Sequence, residues 1–197
     1  MTPRERIVVA AARLLQRQGY VGTGIKQIAT ESQSTLGSIY HFFPGGKEAV
    51  AVAVAAIRYS DQESAALLKG ALDGEDDPAE AVLSCTRQLA AGLRESGWVD
   101  GCPVTAAALE TLGADSDIQQ ACADALNSWE RLVLDKLVGC GFPAQDAREL
   151  ATTVISAVEG AEVTAQVNRS EEPLLAAGRQ LARLIRSYGI GSPRPGS

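Results

Sequence analysis

Apolar residues recur every three or four positions through most of the chain, and this spacing restricts the fold more than any other feature. Near the start, for example, Ile7, Ala10, Ala11, Leu14 and Leu15 would share one face of a helix. We find no series of β-branched runs with a period of two between hairpin turns, which half-buried strands require. The sequence therefore predicts an all-α protein, and its 197 residues, 46% of them hydrophobic, are enough to build a sizeable core.

Capping residues, prolines and glycines indicate where each helix begins and ends. The first helix opens with Thr2 and Pro3 and stops at Gly19, and Thr23 can cap the second. The later helices are predicted over residues 24–32, 35–42, 46–72, 78–96, 103–112, 115–138, 143–168 and 172–188. The tail, residues 189–197, is rich in glycine, proline and serine and is predicted to be disordered.

Charge is unevenly distributed along the chain. Residues 1–50 contain six Lys or Arg and three Asp or Glu, a net charge of +3. Because the whole chain carries −6, residues 51–197 carry −9. The overall acidity argues against a nucleic-acid coat or a polybasic membrane binder, but the sequence places a basic head before an acidic body.

Histidine and cysteine usage excludes several classes of function. His41 is the single histidine, so imidazole metal clusters and Ser-His-Asp catalysis are not expected. The cysteines are too far apart for a C-x-x-C motif, the N-terminus lacks the apolar core of a signal peptide, and no apolar stretch is long enough to cross a membrane. We expect a cytoplasmic protein with free thiols, no membrane partner, no metal or other cofactor and no enzymatic activity. Carboxylate chemistry, for instance at Glu110 or Glu159, remains the enzymatic alternative.

Two short predicted helices in the basic head are joined by a tight turn and follow a longer first helix, which is the pattern of a helix-turn-helix. Ile28, Ile39 and Phe43 are expected to face inward, which leaves the start of the second short helix free to enter a major groove. The residues predicted to contact DNA bases or phosphates are Lys26, Thr35, Leu36, Gly37, Ser38, Tyr40, His41 and Lys47. The alternative is an ordinary three-helix subdomain with solvated charges, in which His41 is a surface histidine without a contact.

The run from Ile28 to Phe43, followed by Lys47-Glu48, strongly resembles the DNA-binding domain of TetR-family regulators. The familiar form in that family is I-A-x-x-A-G-V-S-x-G-x-L-Y-x-H-F, followed shortly by K-E. Here Ser32-Gln33-Ser34 stands in place of Ala-Gly-Val, and Phe42 stands where histidine is common.

The later segments Gly101–Val104 and Ala108–Thr111 are similar to the LmrA/YxaF-like branch of the family. The resemblance implies a helix-turn-helix domain at residues 1–46 and a helical ligand-binding and dimerisation domain at residues 47–188. It also implies a homodimer that binds a pseudo-palindromic operator in double-stranded DNA and is released from it by a small apolar or aromatic effector. An activator or a ligand-independent regulator on the same scaffold is the alternative, and an all-α small-molecule-binding protein is the rival from another class.

The resemblance places the effector site among the fourth to seventh helices, where the chain has its two tryptophans. The residues expected to line this site are Trp98, Cys102, Val104, Leu109, Leu112, Leu126, Trp129 and Val133. Large apolar side chains with few polar groups are typical of small-molecule sites, although apolar residues at helical spacing are more commonly core. Cys102 precedes a predicted helix, so a redox-sensitive thiol is the alternative to a buried inert one.

The last two predicted helices carry small and apolar residues at close spacing, which suits helix-on-helix packing. Burial within one chain would explain part of this pattern. The resemblance assigns these helices to a four-helix dimer interface, with Val154, Ala157, Val158, Ala161, Leu181, Leu184 and Ile185 as its expected residues.

Overall fold

The computed structural model describes residues 1–44, 48–113 and 116–188, and over these ranges it contains α-helices and no strand, which confirms the all-α prediction. The helices are α1 (Pro3–Gln18), α2 (Ile25–Glu31), α3 (Leu36–Phe42), α4 (Glu48–Asp73), α5 (Pro78–Glu95), α6 (Pro103–Glu110), α7 (Asp117–Gly139), α8 (Ala144–Asn168) and α9 (Glu172–Ser187). The predicted tail and the predicted starts of α4 at residue 46 and α7 at residue 115 lie outside the described residues.

Most predicted helix ends lie within one residue of the observed ones, and the exceptions have local causes. The α6 helix ends at Glu110 rather than at Leu112, because Thr111 leaves the helical conformation and its hydroxyl donates to the carbonyl of Ala107 at 2.8 Å. The prediction that Thr23 caps α2 is wrong. Gly24 occupies the cap position, and the Thr23 hydroxyl instead donates to the carbonyl of Gly19 at 2.6 Å.

The described chain divides into two compact units. The N-terminal unit comprises Met1–Ser64 and Val99–Leu126, so α6 and the start of α7 belong to it. In this unit α1 packs against α2, α3 and α6, and fully buried Ile7, Leu15 and Ile39 form part of its core. A three-helix head is therefore held on a further helix from much later in the chain.

The C-terminal unit comprises Ala65–Trp98 and the described residues from Asn127 onward. Here α9 packs closely against both α5 and α8. A Cβ atom on Gly178 would lie 2.2 Å from the Thr86 hydroxyl oxygen, so only glycine permits the approach of α9 to α5 at this point. The predicted functional division after residue 46 stays a prediction.

Candidate functional site

The turn between α2 and α3 closes around a left-handed residue, Gln33, whose φ is 51°. The Gln33 N–H donates to the carbonyl of Thr30 at 3.1 Å, and the Ser34 N–H donates to the carbonyl of Ala29 at 2.9 Å. These two bonds define a Schellman motif, in which glycine is the usual left-handed residue. The sequence difference at Gln33 therefore leaves the turn geometry intact but places a side chain where the backbone favours glycine.

The first turn of α3 is capped by its own side chains. The Thr35 hydroxyl accepts a hydrogen bond from the Ser38 N–H at 3.1 Å, and the two hydroxyl groups are hydrogen-bonded at 3.0 Å. This cap satisfies one of the free N–H groups at the helix start. It also fixes both hydroxyls on the outer side of α3, where each keeps further hydrogen-bonding capacity.

The outer side of α3 consists mostly of polar residues, with Gly37 in its first turn. Thr35, Gly37, Tyr40 and His41 are exposed, and Leu36 and Ser38 are half-buried. A Cβ atom on Gly37 would approach nothing closer than 3.7 Å, so the space beside this backbone is open. An exposed helix surface of this kind permits close approach to base edges in a major groove.

The opposite side of α3 fixes the helix against α1. Ile39 is fully buried and Phe43 nearly so, and the Arg4 guanidinium lies 5.2 Å from the centroid of the Phe43 ring. The α1 helix also contacts the turn between α2 and α3, because Arg6 Nε donates to the carbonyl of Ser32 at 3.4 Å. These contacts set the orientation of the exposed surface.

Two predicted phosphate contacts are lysines. Lys26 is exposed in the first turn of α2. Lys47 lies outside the described residues.

Phe42, which replaces the histidine common in related sequences, makes an edge contact with His41, with ring centroids 5.1 Å apart.

A set of polar contacts joins α1 to the α6 region within the N-terminal unit. Glu110 Oε2 accepts a hydrogen bond from the Val21 N–H at 2.8 Å, and Arg17 forms an ion pair with Asp100 at 2.7 Å. Gly19 lies so close that an added Cβ atom would be 2.2 Å from Glu110 Oε1. The structure therefore gives Glu110 a backbone partner, which the local sequence pattern around it could not reveal.

The residues expected to line the effector site are divided between the two units. In the N-terminal unit Val104 is buried and Cys102 and Leu126 are half-buried, whereas Leu109 and Leu112 are 60% and 69% exposed. In the C-terminal unit Trp129 and Val133 are buried and Trp98 is half-buried, with a left-handed φ of 71°. The assignment of these residues to an effector site stays a prediction.

The predicted dimer residues on α8 and α9 are largely accounted for within one chain. Val154, Val158, Leu181 and Ile185 are buried, and Ala157, Ala161 and Leu184 are half-buried. The exposed side of α8 carries a different stripe, formed by Ser156, Gly160, Val163 and Val167. Val163 and Val167 are 42% and 78% exposed.

One buried carboxyl group in the C-terminal unit has an altered protonation state. Burial of Glu162 on α8, followed by the charge of Glu159, raises the pKa of its carboxyl to about 8. Burial, followed by the charges of Glu162 and Glu159, raises the pKa of the Cys85 thiol on α5 to about 12. Glu162 is therefore mainly protonated at pH 7, and Cys85 is an unreactive thiol.

Among the described helices, none is both long and apolar enough to span a bilayer. A search of the same residues finds no group of three His, Cys, Asp or Glu side chains that could hold a metal ion.

The head consists of α1, α2 and α3, and its last helix, α3, is capped and exposed on one side. Such a head together with a larger helical body defines a helix-turn-helix DNA-binding regulator. Residues 7–54 match the family described as bacterial regulatory proteins, tetR family, and residues 78–180 match the C-terminal domain of LmrA/YxaF-like transcriptional regulators. The chain belongs to the TetR family of transcriptional regulators, in its LmrA/YxaF-like branch. This is a family of DNA-binding regulators and not of enzymes.

Individual relatives agree with this assignment over nearly the full chain. The transcriptional regulator YxaF of Bacillus subtilis is 34% identical over 94% of this chain and 96% of its own length. The regulator LmrA of the same organism is 33% identical over 87% of this chain and 90% of its own. The crystal structure of a regulatory protein TetR from Rhodobacter sphaeroides has a TM-score of 0.79, with 26% identity over 91% of this chain and 96% of that one.

Proposed function

We propose that this protein is a repressor that binds a pseudo-palindromic operator as a homodimer and leaves it when a small apolar or aromatic effector binds. The observation that carries the DNA-binding part is the outer side of α3, which is mostly polar and is exposed at Thr35, Gly37, Tyr40 and His41, while Ile39 and Phe43 anchor the opposite side. Thr35, Leu36, Gly37 and Ser38 reach base edges, and Lys26, Tyr40, His41 and Lys47 contact phosphates.

The test of DNA reading is a bulky residue at Gly37. Gly37→Gln places a side chain in open space within the chain, so folding is retained, but the side chain blocks approach to the groove. With an operator selected from a random DNA pool, fluorescence anisotropy should show an affinity loss of about tenfold or more.

The matched control is Gly92→Gln, since Gly92 is an exposed position in α5 where an added Cβ atom also meets nothing. The control should bind the operator like the wild type. If Gly37→Gln kept both the affinity and the sequence preference of the wild type, α3 would not be the reading helix.

Dimerisation is assigned to the exposed side of α8. Ser156, Gly160, Val163 and Val167 are spaced by four, three and four positions, so they form one stripe along the helix. Small residues in the first half of this stripe let a second helix approach closely, and the exposed valines in its second half bury apolar area on association. The edge of this interface is formed by three half-buried residues, Ala157, Ala161 and Leu184.

The effector part rests on family membership and on the two tryptophans. Aromatic residues are common in the walls of small-molecule sites, and flat aromatic compounds fit such walls. Binding must favour a conformation in which the two α3 helices no longer match both half-sites. The effector must then lower operator affinity by the same factor by which the operator lowers effector affinity.

A panel of uncharged flat aromatic compounds tests this coupling. Compounds that bind should quench tryptophan fluorescence and release the labelled operator. Trp129→Phe keeps a ring at this buried position and should weaken compound binding, whereas unliganded DNA binding should be unchanged. A compound that binds without any change in operator affinity would contradict the release mechanism.

A further inference from the structure

The N-terminal unit contains a cleft of about 700 Å³ that none of the predicted effector residues lines. It lies between α1, the end of α3, α4 and the start of α7, and every lining residue belongs to this one unit. Its volume is within the range of about 300–1,000 Å³ that is usual for small-molecule sites.

The floor of the cleft is apolar and partly open to solvent. Val9 of α1 and Val50, Val54 and Ala55 of α4 contribute to it, and all four are half-buried. Half-buried Tyr59 lies on the same wall, with an aromatic ring and a hydroxyl group. Such a surface suits an apolar or aromatic body about the size of two fused rings.

Two acidic and two basic residues line the cleft, and they differ in whether a neighbouring group already compensates their charge. The carboxylate of Glu5 accepts the Thr2 N–H at 2.7 Å in the cap of α1, and Asp117 lies in the first turn of α7, where the helix dipole favours an acidic group. Arg4 and Arg58 also line the cleft, and neither forms an ion pair with a described residue. The acidic groups are therefore already compensated by helix ends, whereas two guanidinium groups remain for an anion.

We propose that this cleft binds an amphipathic organic anion, with its apolar body on the valines of α1 and α4 and its carboxylate or sulfonate beside Arg4 and Arg58. The site is separate from the effector site proposed above. The ligand class follows from the combination of an apolar floor with two guanidinium groups that form no ion pair with any residue the structure describes.

A bound anion would also act on DNA binding, and this step rests on the proposed function. Phe42 and Phe43, at the end of the reading helix, line the same cleft. An anion beside Arg4 and Arg58 cancels positive charge in the unit that approaches the phosphates, so operator affinity should fall.

The ligand test uses two probes that share one aromatic body. The probe 1-anilinonaphthalene-8-sulfonate carries an anionic group, and N-phenyl-1-naphthylamine is its neutral counterpart. Arg58→Gln should weaken binding of the sulfonate by about tenfold or more, because it removes a charge-assisted contact, and should leave the neutral probe unaffected. Arg87→Gln, at an exposed arginine of α5, is the matched control and should change neither.

A second variant fills the cleft. Ala55→Trp should abolish binding of both probes there, whereas Ala66→Trp, at an exposed alanine of the same helix, should not. Circular dichroism establishes that each variant is folded, and Arg58→Gln decides the question if Ala55→Trp is not. Sulfonate binding that is unchanged in both Arg58→Gln and Ala55→Trp would overturn the proposal.

Operator binding is measured separately, with and without the sulfonate. Loss of probe binding in the cleft variants, together with a protein that binds no selected DNA, would contradict the proposed function but not the cleft. Probe binding in the cleft without any fall in operator affinity would overturn the regulatory step alone.

Discussion

At the scale of single residues, Gln33 is one of three described residues other than glycine with a left-handed backbone, and it lies closest to α3. The Schellman bonds at the end of α2 require a left-handed conformation there, and a residue with a Cβ atom adopts it less readily than glycine. The α3 helix begins two residues later, at its Thr35 cap, so the conflict lies next to the surface proposed to contact DNA.

Gln33→Gly should therefore stabilise the protein by about 1 kcal/mol, because relief of the left-handed strain exceeds the added backbone entropy of the unfolded chain. Urea unfolding monitored by circular dichroism measures the change. The control is Gln180→Gly, at an exposed position inside α9, which should destabilise by about 1 kcal/mol. Equal destabilisation by both substitutions would show that residue 33 is not strained in solution.

At the scale of helices, the sequence signals that succeed are local ones. Apolar spacing places α2 and α3, although Gly24 rather than Thr23 caps α2, and the inward positions Ile28, Ile39 and Phe43 are buried as predicted. Leu109, which is expected to line the effector site, is mostly exposed in the single chain, because α6 buries its Val104 side, and its assignment to that site stays a prediction. A short helix with apolar residues on several sides does not reveal which side will be covered.

Contacts between residues distant in sequence could not be predicted in this way. The bond from the Val21 N–H to Glu110 joins positions 89 residues apart, and no repeat or motif connects them. The assignment of α8 and α9 residues to a dimer interface stays a prediction for a related reason. Val154 and Val158 have the spacing of a packed face, but the spacing cannot distinguish packing within one chain from packing between two.

The α8 helix offers a direct test of its exposed stripe. Gly160→Leu adds a side chain where nothing lies within 4 Å in the single chain, so the fold should be retained, but a partner helix could no longer approach closely. Sedimentation velocity should show a shift from dimer to monomer at low micromolar concentration. Gly92→Leu makes the same change on α5 and should remain dimeric. A Gly160→Leu protein that stays fully dimeric would place the interface elsewhere.

At the scale of the whole molecule, the basic and acidic residues are concentrated in different parts of the chain. The basic head carries the residues proposed to contact phosphates, while the acidic body contains Glu162, whose carboxyl is buried between helices. An isolated carboxyl group in the sequence gives no indication of its protonation state, since the pKa depends on burial and on neighbours such as Glu159. The overall charge of −6 therefore overstates the negative charge of the folded protein at pH 7 by nearly one unit.

The protonation of Glu162 predicts how stability depends on pH. The folded pKa is raised from 4.5 to about 8, so the folded state holds this proton more tightly than the unfolded state. The contribution to stability is fully present below about pH 4.5, falls as the pH rises and is lost above about pH 8. Each unit of pKa difference corresponds to about 1.4 kcal/mol.

Glu162→Gln keeps the shape of the neutral carboxyl group and removes the ionisation. Because other groups titrate over the same range, the measured quantity is the difference in unfolding free energy between variant and wild type, at one protein concentration so that dimerisation contributes equally. The variant should match the wild type near pH 4.5 and become progressively more stable than it up to about pH 8. Glu63→Gln, at an exposed position of α4, should show no such trend. A difference for Glu162→Gln that is constant with pH would mean that Glu162 is ionised in the folded protein and that water or a positive group reaches it.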